Sequence, residues 1–483
     1  MKKQYITEII GQDYKSWQKG NIGIKSGTNT GKTTFICNVL IPWCKENNKT
    51  VLYLTNRILL NEQIKAKISQ FDNVTLWNCQ VIESFKKQEI PIPQYDYIVV
   101  DECHYFRTDA IFNRNTDYSF EWITKQHDSV IIWMSATAER LYSSLTLNKT
   151  YELEDDYSNL DAVYFYGKQQ LQDIIDDILE SRPDDKILVF VDSIDRLKKM
   201  HVIYGDKADY MCSKNNKKAK YISFIKYDCV DDFTFKKQIL FTTKAMDNGI
   251  DIKDKRVRHV FSEIFDVESC LQSLGRKRPI DEEDHYSIYI AVQSKKTVNS
   301  YLNGITQQVK PVRLYKHDII LFNLEYAHDK QFLQKYHVFY GDVDYSQSTI
   351  GQIKVNEVLY RKLEDDLKNC ESMQQNGYIY FMRGQLGKQR SSKVKKLKIL
   401  EKKHDIFAEY LKKITGQKLF KEGQAELKTN FKSMLGLKAN HIGIKTLNGQ
   451  LQDNGYKYVI TSGREKSRKS ENRDKMYWCV SAP

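Results

Sequence analysis

The residues best suited to chemistry stand near the start of the chain, in the stretch IKSGTNTGKTT from Ile24 to Thr34. A short apolar run enters a turn of small residues that ends in Gly31-Lys32-Thr33, and helical spacing follows. Backbone N–H groups in such a turn can hold a polyphosphate, a lysine can neutralise its outer phosphates, and a hydroxyl can bind Mg²⁺. The sequence therefore predicts a phosphate-holding loop of eight residues: Gly27, Thr28, Asn29, Thr30, Gly31, Lys32, Thr33 and Thr34.

One position departs from the usual form of this loop. The common pattern GxxxxGKT has glycine where this chain has Ser26, and Gly27 comes one position later. The flanking residues favour the loop nevertheless, because Ile22 and Ile24 predict a strand before it and Phe35 begins a helical pattern after it.

A pair of carboxylates follows the apolar run 97–100, in the sequence Asp101-Glu102-Cys103-His104. In an open α/β sheet, ligands bind at the carboxyl ends of the strands, so we expect this pair to lie near the phosphate loop. Asp101 would hold Mg²⁺ through water, and Glu102 would orient and deprotonate the water that attacks a γ-phosphate.

Strand and helix patterns alternate on both sides of an acidic stretch at residues 152–161. This alternation predicts two successive parallel sheets, each covered by helices on both faces. The strands are predicted at 50–55, 97–100 and 130–134 in the first unit, and at 187–191, 238–242, 257–261 and 286–292 in the second.

The segments SGTNTGKTT, DECH and SAT occur in this order and resemble motifs I, II and III of superfamily 2 helicases of the DExH branch. The segment TNRILLNEQ is similar to motif Ia, which contacts the nucleic-acid backbone in that family. The resemblance implies such contacts for Asn56 and Arg57. It also implies that Ser135 and Thr137 couple hydrolysis to strand movement, with simple capping of a strand end as the alternative.

A second group of motifs falls in the second unit. The segment TTKAMDNGIDI, residues 242–252, resembles motif V of the same family. The resemblance implies nucleotide contacts for Gly249 and Asp251 and a coupling role for Thr243.

The segment QSLGRKR, residues 272–278, resembles motif VI, whose family pattern is QxxGRxxR. Gln272, Gly275 and Arg276 are in register, whereas Pro279 occupies the position of the final arginine and Arg278 lies one residue early. The resemblance implies that Gln272, Arg276 and Arg278 complete the catalytic site. The arginines would act as fingers on the transferred phosphoryl group, with surface ion pairs to the acidic residues 281–283 as the alternative.

The net charge of +13 is concentrated near the end of the chain. Residues 351–483 hold 28 Lys and Arg against 14 Asp and Glu, a net charge of +14, and the rest of the chain carries −1. A basic region joined to a near-neutral one indicates a polyanionic partner, most commonly nucleic acid. Solubility alone is the alternative explanation.

The last sixty residues have the order of a winged-helix module. Helices are predicted at 422–435 and 442–452, separated by a break at Gly436, and strands at 456–461 and 476–480 flank a basic loop. On this model the second helix, near Lys445 and Asn448, enters a groove of nucleic acid. A helical cap with a disordered basic hairpin is the alternative. The predicted nucleic-acid contacts are Lys445, Arg464, Lys466, Arg468 and Lys469.

The length of 483 residues predicts two or three domains. No run approaches the roughly 18 consecutive apolar residues of a membrane span, and no apolar signal segment follows the first three residues. We therefore expect a soluble, cytoplasmic protein. The nine cysteines form no CxxC pair, so no zinc site is predicted.

These patterns together predict an α/β fold with two tandem RecA-like parallel-sheet domains, followed by a mostly helical, basic C-terminal region with a winged-helix module. The predicted boundaries are 1–150 and 151–300 for the two sheet domains, 301–415 for a connector and helical region, and 416–483 for the winged-helix module.

The resemblance implies an ATP-dependent DNA helicase or translocase that uses ATP and Mg²⁺ and acts on single-stranded or forked DNA, with replication or recombination proteins as partners. The composition is similar to that of helicases from bacteriophages or other mobile elements. Three alternatives remain open at this point: an RNA helicase, a duplex DNA translocase that does not separate strands, and a DNA-binding regulator that only senses nucleotide.

Overall fold

A computed structural model describes residues 4–27, 30–56, 58–113, 115–137, 139–154, 156–212, 218–219, 222–226, 230–231, 234–243, 251–326, 336–340, 353–435, 437 and 442–482. The chain forms two compact units. The first comprises Met1–Val163 and Lys186–Lys393, and the second comprises Tyr164–Asp185 and Val394–Pro483.

The first sheet has six strands in the order β3-β2-β4-β5-β1-β6, and all of its neighbouring strands run parallel. Strands β2, β4 and β5 are buried along their whole length, as expected for parallel strands covered on both faces. The strand predictions at 50–55, 97–100 and 130–134 are confirmed to within one residue. The strands are β1 Gly20–Ser26, β2 Val51–Thr55, β3 Val74–Asn78, β4 Tyr97–Asp101, β5 Val130–Ser135 and β6 Leu147–Leu153.

Helices cover both faces of this sheet. One face packs around Phe35, Leu40 and Ile64, and the other around Phe106 and Trp133. The helices are α1 Ile6–Ile10, α2 Lys32–Phe35, α3 Ile41–Glu46, α4 Ile58–Ile68, α5 Cys79–Lys87, α6 Tyr105–Thr108, α7 Thr116–Thr124 and α8 Glu139–Tyr142, and a π-helical turn, Ile36–Leu40, joins α2 to α3.

A second parallel sheet follows, and within the first unit its strands run in the order β14-β13-β8-β12-β9. The pair of parallel-sheet α/β domains predicted from the sequence is thereby confirmed, and the two sheets resemble tandem RecA-like folds. The elements of this region are β7 Leu160–Gly167, α9 Leu171–Ser181, β8 Lys186–Val191, α10 Ile194–Tyr204, β9 Ala208–Met211, β10 Val230–Asp231, β11 Thr234–Phe235, β12 Ile239–Thr243, β13 Val257–Ser262, α11 Val267–Leu274 and β14 Tyr286–Val292.

Helices dominate the region after the second sheet, where the sequence predicts a connector and helical region. The longest is α12, with 23 residues, and it packs along α14. Among the described residues, no helix combines the length and the apolar character needed to cross a bilayer. The elements are α12 Lys295–His317, α13 Ile319–Tyr326, β15 Phe339–Tyr340, β16 Lys354–Val355, α14 Glu357–Asn376, α15 Tyr378–Gln385, α16 Gly387–Ser392 and β17 Val394–Lys395.

In residues 394–483, the larger part of the second unit, three helices and an antiparallel hairpin pack around one apolar core. The elements are α17 Lys398–Ile414, α18 Lys421–Leu435, α19 Ile444–Asp453, β18 Val459–Arg464 and β19 Met476–Ser481. The two predicted helices of this region are confirmed. The first strand begins three residues later than predicted, because Tyr456 is buried in the core and its N–H donates to the Leu451 carbonyl after α19. Gly436, the predicted break, lies outside the described residues.

Candidate functional site

The phosphate loop joins the end of β1 to the start of α2. Gly31 precedes the helix with φ +88°, a left-handed conformation that side chains rarely adopt. The buried Lys32 folds back into the loop, where its Nζ donates to the backbone oxygens of Ser26 and Gly27, the latter at 2.7 Å. Thr34 is exposed, whereas Thr28 and Asn29 lie outside the described residues.

The serine at the unusual position takes part in the bonding of the loop. The Thr30 hydroxyl lies 2.6 Å from the Gly27 carbonyl oxygen and 2.9 Å from the Ser26 hydroxyl. The N-terminal segment also reaches the loop, because the Ile6 N–H donates to the Thr30 carbonyl oxygen at 2.9 Å. The sequence reasoning missed this contact, since nothing in the spacing of the first ten residues indicates a partner.

Sheet order brings three of the motifs to one edge. Strand β1 pairs with β5, with Lys25 opposite Ser135, and β4 pairs with the other side of β5, with Asp101 opposite Met134. The carboxyl ends of β1, β4 and β5 are therefore adjacent, so the phosphate loop, the acidic pair and the SAT segment lie together.

Asp101 is buried and held by a tyrosine that the sequence reasoning missed. The Tyr53 hydroxyl donates to Asp101 Oδ2 at 2.8 Å. Burial, with the neighbouring charge of Glu102, raises the pKa of Asp101 to about 6. Hydroxyl and carboxylate oxygens are ligands that Mg²⁺ prefers, so the chemistry of Thr33 and Asp101 suits the predicted metal site. The only sequence signal for Tyr53 is a polar-tipped side chain in an otherwise aliphatic strand.

Glu102 follows with φ +50°, an uncommon backbone conformation for a residue other than glycine. Its Oε2 lies 3.1 Å from His104 Nδ1 and 3.5 Å from the Ser135 hydroxyl. Burial raises the pKa of Glu102, but the hydrogen bond from His104 and the positive charges of Lys32 and Arg276 outweigh it and hold that pKa well below its usual range. Glu102 is therefore an ionised carboxylate at neutral pH.

A chain of polar contacts runs from Glu102 to the second sheet domain. His104 Nδ1 lies 2.9 Å from the Ser135 hydroxyl, and the Thr137 N–H donates to the same hydroxyl at 3.2 Å. Gln272 Nε2 donates to the Thr137 hydroxyl at 2.9 Å. Since Gln272 lies on α11, the first and second sheet domains meet through the motifs that resemble III and VI. The sequence reasoning quoted His104 within DECH but gave it no role.

The two candidate finger arginines are buried beside Asp251. Arg278 Nε donates to Asp251 Oδ1 at 3.1 Å, and Arg276 Nη1 lies 3.6 Å from the same oxygen. Both arginines are therefore buried against Asp251, and the alternative of surface ion pairs with residues 281–283 does not describe them. Their placement also shows that the early position of Arg278 still brings it to the same carboxylate as Arg276.

Asn56 is buried at the end of β2, with 4% of its surface exposed. Within the described part of the chain, neither its side-chain oxygen nor its nitrogen has a hydrogen-bond partner, and the same holds for the Thr55 hydroxyl. Buried polar groups without partners are costly, and an ordered water, an ion or a ligand can supply the bonds. Thr243 ends β12 and is half-buried, whereas Arg57 and Gly249 lie outside the described residues.

All five predicted nucleic-acid contacts in the second unit are exposed: Lys445, Arg464, Lys466, Arg468 and Lys469. On the same helix as Lys445, the Asn448 amide forms two hydrogen bonds with the backbone of Ile460, at 2.9 and 2.8 Å. Its side chain joins α19 to β18 and is occupied by that contact.

Comparison with known proteins identifies part of the chain. Residues 168–280 match the helicase conserved C-terminal domain family. No curated protein matches the sequence. Two solved structures of the S. cerevisiae protein Dbp5 bound to RNA and ADP BeF3, one with a single substitution, are similar at 15% and 14% identity. Each has a TM-score of 0.43 and covers 60% of this chain and 83% of the solved chain.

The family match and the phosphate loop fall in different parts of the chain. The matched residues include Asp251, Gln272 and the two arginines, whereas the phosphate loop and the acidic pair belong to the sheet before them. The family match thus assigns a helicase conserved C-terminal domain to residues 168–280.

Proposed function

We propose that this protein is an ATP-dependent superfamily 2 helicase or translocase acting on DNA. The observation that carries the proposal is the polar chain from Glu102 through Ser135 and Thr137 to Gln272, because it joins a candidate catalytic carboxylate to the second domain. A nucleotide-driven motor needs such a connection between the site of hydrolysis and the part that moves.

The first domain supplies the substrate cradle and the base. The Lys32 ammonium, which donates to backbone carbonyls of the loop in this structure, would bind the outer phosphates of ATP instead. Thr33 and Asp101 would hold Mg²⁺. The bound metal neutralises charge on the phosphate oxygens. Glu102, ionised and directed by His104, would orient the attacking water and accept its proton.

The second domain supplies positive charge. Hydrolysis spreads negative charge over the γ-phosphoryl oxygens, and a guanidinium placed there speeds the reaction by about 10³ to 10⁵. Arg276 is the candidate, since its charge already acts on Glu102, and Arg278 is held at the same Asp251. Opening and closing of the cleft would then be coupled to hydrolysis.

The proposed DNA contacts lie in both units. Asn56 presents partnerless polar atoms at the end of β2, which suits a phosphate or sugar oxygen. In the second unit, the Leu419 backbone exchanges hydrogen bonds with Trp478 of β19, which forms an isolated bridge before α18. Two helices followed by a basic hairpin are the order of a winged helix, which supports the proposed nucleic-acid-binding module.

Several finer points stay proposals. The contact between His104 and Glu102 supports placement in the DExH branch. A cytoplasmic location, an origin in a bacteriophage or mobile element, and partners in replication or recombination stay predictions from the sequence. The domain boundaries stay predictions as well.

The test is ATP hydrolysis by the full chain with and without single-stranded, forked and closed duplex DNA and matched RNAs, together with unwinding of the forked substrates. We expect stimulation by DNA and unwinding of a fork. Stimulation by RNA alone would show that the substrate is RNA and not DNA. Stimulation by closed duplex DNA without unwinding would indicate a duplex translocase. An absence of hydrolysis under all of these conditions would refute the proposal and favour a nucleotide-sensing regulator.

A further inference from the structure

A largely buried cluster of charged side chains, here called the ionic junction, lies between the two sheet domains and helix α14. It joins residues from four elements that are far apart in sequence. The ionic junction consists of Arg107, Arg140, Asp266, Glu268, Lys362, Asp365 and Asp366.

Arg107 ties three of these elements together with one guanidinium. It lies on α6, directly after the DECH segment, and only 1% of its side chain is exposed. Its Nε and Nη2 donate to Glu268 Oε1 on α11 at 3.2 and 3.1 Å, and Nη2 also donates to Asp365 Oδ2 on α14 at 2.9 Å. The planar fork of donors suits such a junction, and a lysine has no equivalent geometry.

Lys362 provides a second link, from α14 to the start of α11. Its side chain is fully buried, and its Nζ donates to Asp266 Oδ1 at 2.6 Å and to Asp366 Oδ2 at 2.7 Å. Asp266 caps α11, because its Oδ2 accepts the Ser269 N–H at 2.9 Å. The lysine therefore holds the residue at which α11 begins.

Helix α14 is attached to both sheet domains. Near its start, Asn356 Nδ2 donates to the Thr116 hydroxyl at 2.9 Å, and Val358 belongs to the apolar cluster of the first sheet domain. Along its length, Glu364 pairs with Arg313 of α12, the helix that follows the second sheet, at 2.9 Å. The helix thus bridges the two domains and does not belong to one alone.

The ionic junction acts on the helix that carries the candidate catalytic groups. Glu268 and Gln272 are four residues apart on α11, which places them on the same face of the helix. The chain then reaches Arg276 in four more residues. Any shift of α11 at Glu268 would move Gln272 and Arg276 relative to Glu102.

We propose that Arg107 and Asp365 are positioning residues that act through Glu268: they hold α11 so that Gln272 and Arg276 reach the site on the first domain. This inference rests on the proposed ATPase function and deepens it. Ion pairs at fixed distances set the position of one helix against another more narrowly than apolar packing, which tolerates many arrangements of similar volume.

The test uses the full chain with Asp365→Asn, Arg107→Gln and Arg107→Lys. We expect both neutral variants to lower kcat for ATP by about 10- to 100-fold, because a misplacement of about 1 Å costs up to 10²-fold. The KM for ATP should stay within about twofold, since the phosphate cradle lies on the first domain. Arg107→Lys should recover part of the loss. Lys368→Gln, an exposed change on the same helix, is the matched control and should leave kcat unchanged.

A second readout does not depend on ATP. Amide hydrogen exchange in Val267–Leu274 should be faster in the two neutral variants than in the wild type and in Lys368→Gln. If Asp365→Asn kept both the wild-type kcat and the wild-type exchange rate, the inference would be overturned. It would also be overturned if the loss of kcat in each variant equalled the fraction of its molecules that are unfolded. A wild-type chain without hydrolysis would instead refute the proposed function, and the exchange measurement would still decide whether the ionic junction holds α11.

Discussion

The cleft and the C-terminal hairpin both carry charges for which we propose a function, but in opposite settings. In the cleft, Lys32, Asp101 and Arg276 are buried and each is bonded to a defined partner. In the hairpin, Arg468 and Lys469 are exposed on the loop between β18 and β19. Charges removed from water interact strongly and depend on geometry, whereas exposed charges are screened by salt and act almost independently.

This difference determines how each region should respond to change. A single substitution in the cleft should have a large effect, because its groups act as one unit. Single substitutions in the hairpin should have small effects that add up and depend on salt. The first three predictions below test that contrast, beginning with the largest expected effect, and a fourth concerns the ionic junction.

Replacing Arg276 by Ala should lower kcat about 10³-fold or more, since a finger arginine contributes 10³ to 10⁵ in rate. Binding of ATP in the absence of turnover should change little, because the phosphate loop lies in the other domain. Steady-state hydrolysis and titration with a fluorescent nucleotide measure the two quantities. The exposed Arg256→Ala, also in the second domain, is the control, and a loss of less than tenfold in Arg276→Ala would exclude the finger role.

Replacing Glu102 by Gln should lower kcat by about 10² to 10⁴, the range for loss of a general base, and Lys32→Ala should also abolish measurable turnover. Gln keeps the size of the side chain and removes its negative charge. Glu121→Gln, on a half-buried carboxylate of α7, is the matched control. Full activity in either cleft variant would contradict the assigned chemistry.

Neutralising Lys466, Arg468 and Lys469 together should weaken DNA binding by the full chain and reduce its dependence on salt. Each lost phosphate contact removes about 0.9 from the slope of log K against log salt on duplex DNA. Binding titrations at several salt concentrations measure this slope. Neutralising the exposed Lys412 and Lys413 of α17 is the control, and an unchanged slope in the triple variant would remove the support for the basic hairpin as a DNA contact.

Replacing Asp366 by Asn should stabilise the protein at pH 8 and have little effect at pH 4. Burial, with the charges of Asp266 and Glu268, raises the pKa of Asp366 to about 6 although Lys362 lowers it, and Tyr301 faces the same group from α12. The unfolded chain has a pKa near 4 there, so the folded state binds the extra proton between about pH 4 and 6, and stability falls as the pH rises through that range.

The amide removes this cost, so the melting temperature should rise at pH 8 by about 1 °C for each kcal/mol gained, since the unfolding entropy of a unit of this size is large. Thermal unfolding at both pH values measures the effect, with Lys368→Gln as the control. A gain at pH 4 equal to that at pH 8 would contradict the assignment to Asp366.

The range of the contacts explains which parts of the structure could be predicted from the sequence. The strands and the phosphate loop follow from local patterns, since apolar runs of five or six residues and the spacing of Gly31, Lys32 and Thr33 need no distant partner. The tail helices could be predicted for the same reason. The contacts of Tyr53 and Ile6 could not, because each depends on a segment that is distant in sequence.

The amino-acid sequence by itself determined the two parallel sheets, the chemistry of the phosphate loop and acidic pair, and the basic charge of the tail, because these depend on composition and short-range spacing. Only the tertiary structure decided that Asp251 holds both arginines, that Asn448 is occupied by β18, and that Arg107 reaches Glu268 and Asp365. These contacts join residues that are 12 to 258 positions apart, and their partners are selected by how strands and helices pack and not by any local pattern.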